Sequence, residues 1–108
     1  MTDAVRARDE VAESESLAPA VTRAGAILDL LAESAGQAPG PSELARRLGL
    51  PKSSIANICN ALAEIGLVQR IGTGFTLGRK LAELGGAYLA SVDQVQEFYH
   101  ACRLLTTG

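Results

Sequence analysis

The sequence has few of the residues that mark disulfide-linked, metal-binding or β-sandwich proteins. Its 108 residues include no Trp, one His and two Cys, and aromatic side chains make up 4%. Because strands are enriched in aromatic and β-branched residues, this scarcity favours a helical core over a sandwich or a barrel. Hydrophobic residues make up 47% of the chain, which is enough for the core of one small domain.

The scarce cysteine and histidine residues argue against a metal site and against catalysis. Cys59 and Cys102 are far apart in sequence and form no disulfide framework, so we interpret both as buried thiols in a reducing cytoplasm. His100 and Cys102 supply two ligands where a structural zinc ion needs four. His100 also stands without a nucleophile that it could activate. We therefore predict no cofactor, no metal and no enzymatic activity.

No stretch of the sequence is long and apolar enough for a membrane span or a secretory signal. The uncharged apolar run at residues 84–92 contains two glycines, whereas a membrane helix needs roughly 20 residues. The polar N-terminal segment lacks the apolar stretch of a signal peptide. We expect a cytoplasmic protein without a membrane partner.

The net charge of −2 conceals an uneven distribution along the chain. Residues 1–19 carry a net charge of −3 and residues 81–108 a net charge of −2, whereas residues 20–80 carry +3. The overall acidity argues weakly against a nucleic-acid partner, but the middle of the chain is basic. We predict a disordered acidic tail at 1–17, a domain at 18–78, and a linker helix with the start of a further helix at 79–108.

Three helices are predicted in the middle domain. The first begins at Pro19, with an inward stripe of Ala20, Ala24, Ile27, Leu28 and Leu31, and it stops near Gly36. A short second helix begins at Pro41 and ends at Gly49. A third helix runs from Pro51 to about Ile65 after a tight turn, which is the helix-turn-helix signature.

The third helix has one apolar and one polar side. Its predicted buried stripe consists of Ile55, Ile58, Cys59, Leu62 and Ile65. Ser53, Asn57, Asn60 and Glu64 fall on the opposite side. Such a face can enter a major groove, where Asn pairs with adenine and Ser or Lys holds phosphates. An ordinary solvated helix face is the alternative interpretation.

Two short β-rich runs follow around the sequence Gly72-Thr73-Gly74, which predicts a hairpin. The fold class is therefore mainly α, with a winged helix-turn-helix of three helices plus a two-stranded wing. The C-terminal stretch carries two apolar stripes outside the domain, one with Leu84 and Tyr88 and one with Phe98 and Cys102. We expect these stripes to pack against either the flank of the winged domain or a second copy of the chain. Ser91 and Gln94 fit a capping box that restarts the helix.

Four sequence motifs together carry a family resemblance: VTRAGAILDLL (21–31), SELARRLGLPKSS (42–54), LAEIGLV (62–68) and LGRKLAELG (77–85). Through them, residues 17 to about 92 resemble the DNA-binding part of IclR-type bacterial transcriptional regulators. The resemblance implies a regulator that binds a palindromic operator in double-stranded DNA as a homodimer or a higher homo-oligomer, with residues 51–65 as the recognition helix. Ser53 and Ser54 match the family's pair at the start of that helix, which contacts DNA.

Taken with the face of the third helix, the resemblance predicts a set of DNA contacts. Base contacts are expected from Ser53, Asn57 and Asn60. Phosphate contacts are expected from Arg46, Arg47, Lys52, Ser54, Arg70 and Lys80.

Three departures from the family pattern have consequences. Asn57 stands where the family usually has Arg, so the preferred base should change from guanine towards adenine. The wing tip is short and uncharged. The effector-binding domain that follows in the family is absent from these 108 residues, which fits a fragment, a truncated gene product or a stand-alone DNA-binding protein. A winged domain used for protein contact, with DNA binding lost, is the second functional hypothesis.

Overall fold

The structure, a computed structural model, describes residues 16–92 and 101–105. Nearly all of the predicted tail at 1–17 therefore lies outside the described residues. The elements are α1 (Pro19–Glu33), α2 (Pro41–Leu48), α3 (Lys52–Glu64), β1 (Val68–Ile71), β2 (Gly74–Leu77) and α4 (Arg79–Ser91). Residues 101–105 are also helical. Three helices followed by an antiparallel hairpin form a winged helix-turn-helix, as predicted.

The core is built from aliphatic side chains of the three helices and is closed by the wing. Its largest fully buried side chains are Ile27, Leu30, Leu44, Leu48, Ile55 and Cys59. Val68 and Phe75 reach this core from the two strands. Phe75 is the one aromatic residue in the cluster, so the described core rests on branched aliphatic packing, as the composition predicts.

The buried face of α1 differs from its predicted stripe. Ala20 is exposed, whereas Ala26 and Leu30 are buried next to Ile27 and Leu31. Alanine occurs on several sides of this helix, so the spacing of apolar residues did not fix which side faces α2 and α3.

The turn between α2 and α3 is as predicted. Gly49 is in the left-handed conformation at φ 68° and ψ 34°, and the Leu50 amide donates to the Ala45 carbonyl at 3.1 Å. Pro51 is the N-cap of α3, and its carbonyl accepts a hydrogen bond from the Ile55 amide at 3.1 Å. This compact connection fixes the end of α2 beside the start of α3.

The predicted buried position of Ile65 was wrong. The helix ends at Glu64, and Ile65 is its C-cap residue with 60% of its surface exposed. The chain turns away from the core at this point, because Gly66 takes a positive φ of 85°.

The wing is docked on the segment between α1 and α2. The Phe75 amide donates to the Pro39 carbonyl at 3.0 Å. A Cβ atom on Gly74 would lie 1.8 Å from the Ala38 carbonyl oxygen, so only glycine permits this approach. The hairpin turn consists of two residues, because Ile71 pairs with Gly74, and Gly72 supplies the positive φ of 59° that the turn requires.

Helix α4 leaves the domain without burying a side chain. The Lys80 amide donates to the Gly66 carbonyl at 3.1 Å and joins the helix start to the turn after α3. Leu84 is 50% and Tyr88 63% exposed, as expected for a stripe outside the domain. Ser91 is the last residue of α4, and its hydroxyl donates to the Tyr88 carbonyl at 2.8 Å. Gln94 lies outside the described residues, so the capping box stays a prediction.

The prediction that both thiols are buried holds for Cys59 and is wrong for Cys102. The side chain of Cys102 is partly exposed, because it lies on the short helical segment at 101–105 rather than in the core.

We predict opposite effects for two glycine-to-alanine substitutions. Gly74→Ala should destabilise the domain by about 2–4 kcal/mol, because the new methyl group would force the wing away from the Ala38 carbonyl. Gly25→Ala, in open space within α1, should stabilise it by about 0.5–1 kcal/mol. Urea unfolding measures both, and a Gly74→Ala variant as stable as Gly25→Ala would contradict the wing docking.

Candidate nucleic-acid interface

Helix α3 has a buried apolar side, which we call its inner face, and an exposed polar side, which we call its outer face. Ile55 and Cys59 have no exposed surface and Leu62 has 6%. On the opposite side Ser53, Asn57 and Asn60 are exposed, within about 60° of one another around the helix. The structure thus brings the three predicted base-contacting residues to one surface.

The start of α3 has the features of a phosphate-binding end. Lys52 is the first residue of the helix and is exposed, and Ser54 is partly buried beside it. No acidic residue lies in the first turn. The helix dipole and the unpaired amides of this turn therefore add to the positive charge of Lys52.

The two arginines of α2 differ in their surroundings. Arg46 is exposed, whereas Arg47 lies 3.8 Å from the Glu43 carboxylate one turn earlier. Both members of this ion pair are more than one-third exposed, so solvent screens it and it contributes little to stability. A phosphate group can therefore compete with Glu43 for Arg47.

The side chain of Arg70 extends from the wing to α3. Its guanidinium, which starts from β1, donates a hydrogen bond to the Oδ1 atom of Asn60 on the outer face of α3. Both side chains are exposed. Two predicted contact residues are thus joined by a hydrogen bond. This pair could not be recognised from sequence patterns, because the bond links different elements.

Lys80 lies at an open groove of about 540 Å³ between the wing and the first turn of α4. The neighbouring Arg79, which was not among the predicted contacts, lines the same groove and lies 3.7 Å from the carboxylate of Glu83. Its position directly before Lys80 could have suggested it. Ser53, Asn57 and Asn60 of the outer face of α3 do not line this groove.

Burial raises the pKa of the Cys59 thiol to about 11, and the positive charge of Arg70 opposes this rise. Cys59 precedes Asn60 on α3, so the influence of Arg70 fits a guanidinium that lies against this helix. A thiol that stays protonated at neutral pH serves packing rather than chemistry.

Within the described residues, no three His, Cys, Asp or Glu side chains come together as metal ligands. In the same part of the chain, no helix has the length and hydropathy needed to cross a membrane.

A winged helix-turn-helix whose third helix has an exposed polar face is typical of a class of nucleic-acid-binding domain. Residues 20–72 match the family model of the IclR helix-turn-helix domain. Residues 20–72 of the chain therefore belong to this domain family, which confirms the resemblance to IclR-type regulators.

A solved relative agrees with this assignment. The crystal structure of the Agobacterium tumefaciens repressor BlcR is similar with a TM-score of 0.65 and 31% identity. The match covers 81% of this chain and 35% of the BlcR chain, so this chain spans about a third of that repressor. No curated protein matches the sequence. Together, the family model and the fold support a DNA-binding domain.

We predict that stability falls between pH 9.0 and about 11 because of Cys59. The unfolded thiol ionises near pH 9.0 and the folded thiol near 11, so the unfolded state binds fewer protons in this window. The loss should approach about 2 kcal/mol at the upper end. Denaturant unfolding at several pH values measures it.

Cys59→Ala is the control for this prediction, since other groups also titrate in this range. The variant should be less stable at neutral pH but should lose less stability than the parent from pH 9 to 11. Parallel profiles of parent and variant would contradict a buried, protonated thiol.

Proposed function

We propose that this protein is a sequence-specific DNA-binding transcriptional regulator that inserts α3 into the major groove. The observation that carries the proposal is the exposed polar face of α3, held outward by a fully buried inner face in an IclR helix-turn-helix domain. A helix that cannot rotate in its domain offers the same side chains to every duplex, as sequence-specific readout requires.

The proposed contacts fall into base-reading and phosphate-holding groups. Ser53, Asn57 and Asn60 on the outer face of α3 meet the bases. Exposed Asn57 offers both a donor and an acceptor, which match the N7 and N6 positions of adenine. Contacts to the phosphate backbone are proposed for the basic side chains and the hydroxyl outside this group: Arg46, Arg47, Lys52, Ser54, Arg70 and Lys80.

We propose the following domain organisation. Residues 18–78 form the DNA-binding domain and residues 79–108 form the linker and the start of a further helix. The protein acts in the bacterial cytoplasm and lies on the nucleoid when it is bound to DNA.

We further propose that two or more copies associate through α4 and bind a palindromic operator. Leu84, Tyr88 and Leu89 are between 44% and 63% exposed, on a helix with no buried residue. A net charge of +3 over residues 20–80 gives one copy few phosphate contacts. A second copy doubles those contacts and removes the apolar side chains of α4 from water.

A winged domain used for protein contact is the competing function. The exposed apolar face of α4 favours it, because such a face also suits a different protein. The two functions differ in how binding depends on salt.

We predict that the affinity for a random-sequence DNA duplex falls steeply as salt rises. Each phosphate contact should contribute about −0.9 to the slope of log affinity against log salt concentration. Lys52→Ala should make this slope shallower by about one, uniformly across sequences. Fluorescence anisotropy with a labelled duplex measures both effects.

Asn57→Ala tests the base contacts with the charge unchanged. Its salt slope should equal that of the parent, while the base preference at one position of the selected sites relaxes, at a cost of about 1–3 kcal/mol. No binding of the parent at low salt, or binding that is indifferent to salt, would overturn the DNA-binding proposal and favour the protein-contact function.

We also predict that Leu84→Glu weakens self-association, because it places a charge in the apolar face of α4. Measured mass in solution should move towards the monomer, and affinity for selected palindromic sites should fall while binding to a single half-site is kept. Ala82→Glu is the matched control, since Ala82 is exposed about 160° away around the helix. Equal effects of the two variants, or a parent that is monomeric on its operator, would contradict association through this face.

A further inference from the structure

The recognition helix has little positive charge of its own. Its 13 residues, KSSIANICNALAE, contain one basic side chain, Lys52, at the first position and one acidic side chain, Glu64, at the last. Between them the exposed side chains of the outer face are uncharged. The middle of the helix therefore has no cation of its own for the acceptor-rich edge of guanine.

Arg70 of the wing places a positive charge beside this part of α3. Arg70 pairs with Phe75 across the hairpin, and cross-strand partners lie on the same face of the sheet. Val68, two residues before Arg70, is on that face as well. Phe75 and Val68 are buried in the core, so this face is turned towards the helices and the Arg70 side chain emerges along α3.

The hydrogen bond to Asn60 fixes where the guanidinium ends. Asn60 lies one turn after Asn57 on the outer face, and its Oδ1 atom accepts the bond from Arg70. Any surface of the duplex that meets the Asn60 carboxamide also meets the guanidinium. The effect of Arg70 on the buried thiol of Cys59 agrees with this placement.

This contact changes the chemistry that Asn60 can offer. Pairing with adenine uses the side-chain oxygen of Asn as the acceptor for N6, and in Asn60 the bond from Arg70 occupies one of the two lone pairs of that oxygen and fixes its orientation. The guanidinium has five N–H donors and uses one in the hydrogen bond to Asn60. The remaining donors can form the bidentate pair with O6 and N7 of guanine.

We propose that Arg70 reads a guanine in the major groove and that Asn60 is the positioning residue that holds it there. The proposal rests on the DNA-binding function above and replaces the phosphate contact of Arg70 and the base contact of Asn60 proposed there. The recognition surface then combines two elements, with Asn57 contributed by α3 and the guanidinium contributed by the wing.

The test is selection of bound sequences from random duplex DNA by the parent, Arg70→Lys, Asn60→Leu and the double variant. Arg70→Lys keeps the charge but loses the planar fork, so the preference for guanine at one position of each half-site should fall about tenfold to a hundredfold. Asn60→Leu removes the acceptor at similar volume and should weaken the same preference. The double variant should lose no more than Arg70→Lys, because the two residues act as one unit.

The matched control is Arg79→Lys, an exposed arginine whose partner Glu83 lies on its own helix, and it should leave base preference unchanged. Thermal unfolding establishes that each variant is folded. A guanine preference that survives Arg70→Lys, or additive effects of the two substitutions, would overturn the proposal. An Arg70→Ala variant that loses affinity equally for all sequences would instead assign Arg70 to phosphate. A parent that binds no duplex would reject the DNA-binding function itself.

Discussion

The packing of the inner side of α3 is the constraint on which the rest of this structure depends. Ile55 and Cys59 are completely buried against α1 and α2, and Leu62 is nearly so. A buried stripe of this kind costs several kcal/mol to expose, so the helix has one stable rotation about its axis. Because the rotation is fixed, the same side chains always form the outer face of α3. The proposed base contacts of α3 depend on this.

The wing depends on a second constraint, which acts on the backbone. The hairpin touches the connection between α1 and α2 through the amide of Phe75 and the bare Cα of Gly74. This contact orients β1, and β1 in turn aims Arg70 at α3. A side chain from the wing thereby becomes part of the exposed surface of α3, although Arg70 is ten positions from Asn60 in sequence.

Local signals were enough for the architecture. Pro41 and Gly49 mark the ends of α2, and the glycine pair around Thr73 marks the hairpin, because each acts through its own backbone preferences. The outer face of α3 also follows from helical periodicity alone. The buried side of α1 was misjudged, since alanine-rich spacing leaves several rotations nearly equivalent until the neighbouring helices select one.

Features that depend on contacts between elements could not be predicted from the sequence. The exposure of Ile65 results from the turn at Gly66, and the bond between Arg70 and Asn60 results from the docking of the wing. For the same reason, a phosphate contact was predicted for Arg70 and a base contact for Asn60, with no link between the two residues. Pattern analysis assigns each residue to its own element, whereas a hydrogen bond between elements appears only in three dimensions.

The close approach of Gly74 to the Ala38 carbonyl has a consequence for how such a chain can diverge. Because the contact involves main-chain atoms of both partners, no substitution at position 38 can make room for a side chain at position 74. A lineage that loses this glycine must lengthen or reshape the loop before α2. The tip residues Gly72 and Thr73 are exposed, so insertions there leave the anchor intact. The length of the wing tip can therefore change among related sequences, whereas the glycine at the base of the wing must be kept.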